Sequence, residues 1–92
     1  MIVRIATEAQ YEIPPNDEEA LNDLDNRAVV ACANGDEQQF HDSFARLLDF
    51  VRTNGRRVPD EELEPSDVIL PPPDISLEEA RAEFTGEGLI PG

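Results

Sequence analysis

The 92-residue sequence contains no lysine. All seven of its bases are arginines, set against 21 acids, for a formal charge of −14 at pH 7. That balance repels nucleic acid phosphates and anionic lipid heads, while favouring solubility and a basic partner surface. A lysine-free composition fits a GC-rich or salt-adapted source. Cysteine is nearly absent: Cys32 stands alone, which excludes an internal disulfide framework. No basic neighbour in sequence lowers its pKa, so it reads as a small buried helix residue. Long apolar runs are missing as well. The longest, Ala28 to Ala33, has six residues where a membrane span needs ~20. No leader is visible at Met1-Ile2-Val3, where Arg4 interrupts the apolar run, so a cytosolic protein is expected. Hydrophobic residues make up 39%, below the ~45–50% of typical domains, so an exposed tail or a partner's surface is expected.

What is present points to one small acidic domain over residues 1–92, with 56–92 its less independent, extended C-terminal part. Its core is thin, because a chain this short buries little more than ~60% of its unfolded surface. The organising stretch is Phe40 to Val51, which holds three of the four phenylalanines. At ~100° per residue, Phe40, Phe44, Leu47, Leu48 and Val51 fall on one helix face. Asp36 is placed as N-cap with Gln39 at the third helical position, a variant capping box, and Asn54-Gly55 offers a left-handed stop.

An earlier helix follows a cap at Asn16 or Asp17, with Leu21, Leu24, Ala28 and Ala31 at helical spacing. Val29 and Cys32 widen that stripe, and Asp23 and Arg27 stand as an i,i+4 pair on its flank. The short joint Asn34-Gly35-Asp36 makes the two helices antiparallel neighbours. Before them, Ile2–Ile5 and Tyr11–Ile13 read as a β-hairpin, although no glycine or asparagine marks its turn. Residues 59–65 read as a loop or one helical turn. Val68-Ile69-Leu70 offers a third strand, and Pro71-Pro72-Pro73 ends it as an extended spacer. Ser76-Leu77-Glu78-Glu79 is a capping box with Ile75 as staple, opening a short helix through Phe84 with Leu77, Ala80 and Phe84 inward and Gly86 as its stop. The expected fold is therefore α+β: an N-terminal β-hairpin with room for a third strand, an antiparallel helical hairpin and a short C-terminal helix.

Residues that carry chemistry are sparse. His41, the only histidine, lacks a second ligand at metal spacing. The acidic groups Asp60-Glu61-Glu62-Glu64 and Glu78-Glu79 lack the alternating oxygens and central glycine of a calcium loop. No nucleophile elbow surrounds Ser43, Ser66 or Ser76, and Gly86-x-Gly88 sits at a helix end, the wrong place to hold phosphate. Neither catalysis nor a cofactor is expected. The apolar residues of the C-terminal third lie on elements too short to stand alone, which places Ile69, Leu70, Leu89 and Ile90 in or near a contact surface.

Ser66-Asp67-Val68-Ile69-Leu70-Pro71-Pro72, then Ser76-Leu77-Glu78-Glu79-Ala80-Arg81, then Glu87-Gly88-Leu89-Ile90-Pro91-Gly92 resemble the closing pattern of the PspA-associated protein family, PspAA. Met1-Ile2-Val3-Arg4-Ile5 with Gln10-Tyr11 resembles its start, so the likeness covers essentially the whole chain. It implies a small non-enzymatic protein that associates with PspA, an ESCRT-III-like coiled-coil protein supporting the cytoplasmic membrane under envelope stress. The implied role is that of a cytosolic partner, reaching the membrane only through PspA. An acidic inhibitor masking a basic surface of another regulator is the alternative reading.

Overall fold

The computed structural model describes residues 1–62 and 64–83. Strands β1 (Ile2–Ile5) and β2 (Ala9–Glu12) form the expected hairpin, with Val3 opposite Tyr11 and Ile5 opposite Ala9. Thr7 supplies what a glycine would have: it takes φ 66°, in the left-handed region. A threonine there costs ~1–2 kcal/mol, and the neighbouring bonds hold it. Glu8 N donates to Ile5 O at 3.0 Å, and Ala6 N donates to Leu70 O at 2.9 Å.

The chain then makes a 3-10 turn (Pro15–Asp17) and enters α1 (Glu18–Asn34). Neither expected cap caps it. Asp17, at φ −100° and ψ −4°, already has helix-like backbone, because the 3-10 turn runs straight into the helix, and its side chain makes no cap bond. Glu18 and Glu19 still place negative charge at the positive end of the helix dipole. Gly35, at φ 71°, ends α1 by donating to Ala31 O and Cys32 O. Asp36 then opens α2 (Glu37–Asn54), accepting from Gln39 N at 3.0 Å as the capping box requires. The buried residues of α2 are the five anticipated ones, Phe40, Phe44, Leu47, Leu48 and Val51. Phe40 and Phe44 stack with ring centroids 5.5 Å apart.

Gly55 is not a left-handed stop. Its backbone is extended (φ −82°, ψ 151°), a conformation open to any residue. Glycine is needed there for space: a Cβ would lie 2.6 Å from Val51 O and 2.9 Å from both Ile13 Cδ1 and Tyr11 Cβ. The end of α2 thus presses directly on the sheet.

From Gly55 the chain turns at once into β3 (Arg56–Val58), a strand with no apolar alternation to announce it. A single 3-10 turn (Asp60–Glu62) follows, and β4 (Val68–Leu70) joins the sheet in parallel with β1. The sheet has four strands in the order β3-β2-β1-β4, one more than anticipated. The proline run is not a straight spacer. Pro71 is buried, and Ile75 N donates to Pro72 O at 3.1 Å, closing a turn. That turn sets Ser76 and Glu79 in their reciprocal capping box at the start of α3 (Leu77–Glu83). Ile75 and Ala80 are buried beneath it. The anticipated inner residue Phe84 and stop Gly86 lie outside the described residues.

Paired residues share a sheet face. Val3, Ile5, Ala9, Tyr11, Val68 and Leu70 therefore line one side, where they join Leu21, Ala28 and the five residues of α2 in one core. The other side carries Ile2, Arg4, Gln10, Val58 and Ile69. Val58 is buried but stands apart from the main core. The segment after β3 covers that side of the sheet in part, clamped by Gln10. The Gln10 amide donates to Glu64 O and to Ser66 Oγ (2.8 Å) and accepts from Glu64 N at 3.3 Å.

Candidate interaction surfaces

The described residues contain no group of three or more metal-ligating side chains, and no helix among them is long and apolar enough to cross a membrane. His41 is half-exposed, 3.8 Å from Glu37 and tilted against the Phe40 ring. Cys32 is buried, and burial pushes its thiol pKa up, against a smaller opposing pull from the Arg81 guanidinium. A thiol held protonated is a poor nucleophile. Of the serines, Ser76 caps α3 and Ser66 accepts from Gln10.

One polar cluster perturbs its members strongly. Arg52, from the last turn of α2, grips Glu8 at the β1–β2 turn through two nitrogens, with Nη2 to Oε1 at 2.7 Å and Nε to Oε2 at 3.0 Å. The Tyr11 hydroxyl donates to the same carboxylate at 3.1 Å. The Arg52 hydrogen bonds hold the Glu8 carboxyl below its ordinary range, against a smaller opposing effect of burial. Burial first, and then Glu8, push the Tyr11 phenol up. Each member is bound to another, and the cluster ties the left-handed turn to the end of α2. This is a structural lock.

Of the four residues expected at a contact surface, the structure displays one. Ile69 is 59% exposed, on the edge strand β4 and opposite Arg4. Leu70, next in sequence, points the other way and is fully buried in the core, as the period-2 alternation of a strand requires. Leu89 and Ile90 lie outside the described residues.

Sequence reading passed over a second exposed hydrophobic, Val30, which is 56% exposed. It lies in a groove of about 440 Å³ where α1 and α2 meet on the solvent side, lined also by Asn26, Arg27, Asp42, Ser43 and Arg46. Arg27 does not close the expected pair with Asp23. Neither Arg27 nor Arg46 makes an ion pair or side-chain hydrogen bond among the described residues. The one visible signal was the placing of Val30 inside the six-residue apolar run, off the buried stripe.

The whole chain, residues 1–92, matches the family model PspAA, described as PspA-Associated protein. The chain belongs to the PspA-associated protein family. No curated protein and no solved structure matches it. In this PspAA protein the residues that carried the resemblance form structural joints. Met1–Ile5 supplies β1, and Gln10-Tyr11 supplies the loop clamp and a core ring. Ser66–Pro72 supplies β4 with its flanks, and Ser76–Arg81 opens α3. The last block, 87–92, lies outside the described residues.

Proposed function

We propose that this PspAA chain binds PspA and acts through that contact, without catalysis, in the envelope-stress response at the cytoplasmic side of the membrane. The observation that carries the reading is the family match over the full length of the chain. The charge supports it, since a chain at −14 is repelled by anionic lipid heads and needs another protein to bring it to the membrane. The contact includes Ile69 at the β4 edge, with Leu89 and Ile90 beside it in function, while Leu70 serves by anchoring the strand.

The test is size-exclusion chromatography of the purified chain with PspA, followed by liposome flotation. A stable complex is expected, weakened by Ile69→Asp. The chain alone should stay off anionic liposomes, and it should reach them, or reduce PspA attachment to them, only in PspA's presence. No complex at tens of micromolar would sink the reading, and flotation of the chain by itself would sink its membrane half.

A further inference from the structure

We infer that the groove between α1 and α2 is a docking site for an amphipathic helix that presents a carboxylate to Arg27 and Arg46 and an apolar side chain to Val30. The inference deepens the proposed association with PspA and rests on it: the occupant is an acidic stretch of PspA's coiled-coil helices.

Charge disposition is the first argument. With 21 acids available to seven arginines, a surface arginine has every chance of an internal partner. Arg52 and Arg56 take that chance, pairing with Glu8, Asp49, Glu12 and Glu62. Arg27 and Arg46, from different helices, line the same groove and take none. The acid in that lining, Asp42, accepts instead from Gln38 Nε2 at 3.1 Å. The result is a locally cationic groove on a strongly anionic molecule. It selects for acidic partners, and the surrounding charge steers basic ones elsewhere.

Val30 decides the class of occupant. A free anion would satisfy the two guanidinium groups but leave the exposed valine between solvent and ligand with no role. A helix with an acidic residue flanking an apolar one satisfies both, in the helix-in-groove mode of recognition. Arginine suits such a site because its planar fork can bind a carboxylate bidentately. The groove is also built on rigid elements. Gly35 closes α1, Asp36 caps α2, and Phe40 and Phe44 fix the helices from beneath. Little ordering entropy is therefore lost on docking. The site lies in the helical layer, away from Ile69 on the outer side of the sheet, so the two surfaces are separable by mutation.

The experiment is isothermal titration calorimetry of the full chain with PspA at low and physiological salt. Arg27→Glu/Arg46→Glu should raise Kd by about tenfold or more, since charge pairs across an interface carry couplings of that order and their reversal adds repulsion. Arg27→Lys/Arg46→Lys should retain most of the affinity. The wild-type affinity should fall as salt rises, and that of the reversed variant should fall less. Arg57→Glu, an equal charge change on β3, serves as control and should leave Kd within about twofold. All these positions are exposed, so melting curves should match the wild type and exclude unfolding. Binding of the reversed variant within twofold of wild type would overturn the groove while leaving the association with PspA intact. An equal loss in Arg57→Glu would also overturn it, by reducing the effect to net charge. A wild-type chain that fails to bind PspA would overturn both the functional reading and this inference.

Discussion

Gly35 and Gly55 end successive helices, and the fold predicts opposite responses to the same two substitutions. At Gly35 the requirement is conformational: φ is 71°, and the nearest atom to an added Cβ is Arg81 Nη2 at 3.8 Å, an ordinary contact. Alanine there should cost about 1 kcal/mol, the left-handed penalty less the entropy removed from the unfolded chain. Asparagine, which tolerates that region, should recover much of the loss. At Gly55 the requirement is spatial. The backbone is extended, but a Cβ would sit 2.6 Å from Val51 O and 2.9 Å from Tyr11 Cβ, neither of which can swing aside as a flexible side-chain tip would. Overpacking of this kind costs roughly 1–3 kcal/mol. For a domain of this size, about 2 kcal/mol corresponds to a Tm lowered by ~8–16 °C. Asparagine should be no better than alanine at this position, because both carry the offending Cβ. Thermal melts followed by circular dichroism at 222 nm, with urea titrations for the free energies, read all four variants. The spatial argument fails if Gly55→Ala melts with the wild type, or if Gly55→Asn is clearly more stable than Gly55→Ala, the signature of a left-handed stop.

The β1–β2 turn offers two further tests. Thr7→Gly should raise stability by about 1 kcal/mol in urea titrations, by releasing the left-handed strain, less the entropy a glycine adds to the unfolded chain; a loss would mean that the threonine side chain contributes something the backbone does not reveal. For Glu8, a folded-state pKa held below the ordinary 4.5 means that the native state favours its charged form, so its contribution is present above 4.5 and is lost as pH falls through the lowered folded value. The Tm gap between wild type and Glu8→Gln should accordingly be steady from pH 6 to 8 and close toward pH 3, and a gap that widened on acidification would contradict the Arg52–Glu8 lock.

The helical hairpin was legible because several local signals agree there. Periodicity picked out the buried face of α2 residue by residue, and the Asp36 and Ser76 capping boxes were written in spacing alone. Elements fixed by remote contacts were not legible. Arg56-Arg57-Val58 forms a strand only because β2 offers it an edge, and no alternation in three residues could say so. Gln10 reads as a solvent-facing strand residue, yet it is buried because a segment 54 positions later closes over that side of the sheet. Asp25 lies on the inner side of α1, fully buried and not without a partner, where a stripe of apolar residues gave no reason to expect a carboxylate. For the contact surfaces, composition identified an apolar C-terminal third, but strand alternation decided that Ile69 is displayed while Leu70 is not. The Arg27–Arg46 groove needed two helices in register, which sequence spacing within either helix cannot supply.

The position of β1 has a consequence for how the chain is made. Its amino-terminal strand lies inside the sheet, and its bond from Ile2 N reaches Asp67, 65 positions later. At ~5–20 residues per second, a ribosome needs about 3–13 s to deliver that partner. Throughout this interval the nascent hairpin keeps an open backbone edge beside Val3 and Ile5, the kind of template that recruits chaperones or stray strands. The segment that shuts it is the same Val68–Leu70 strand that displays Ile69, so the moment the sheet is completed is also the moment that surface first exists.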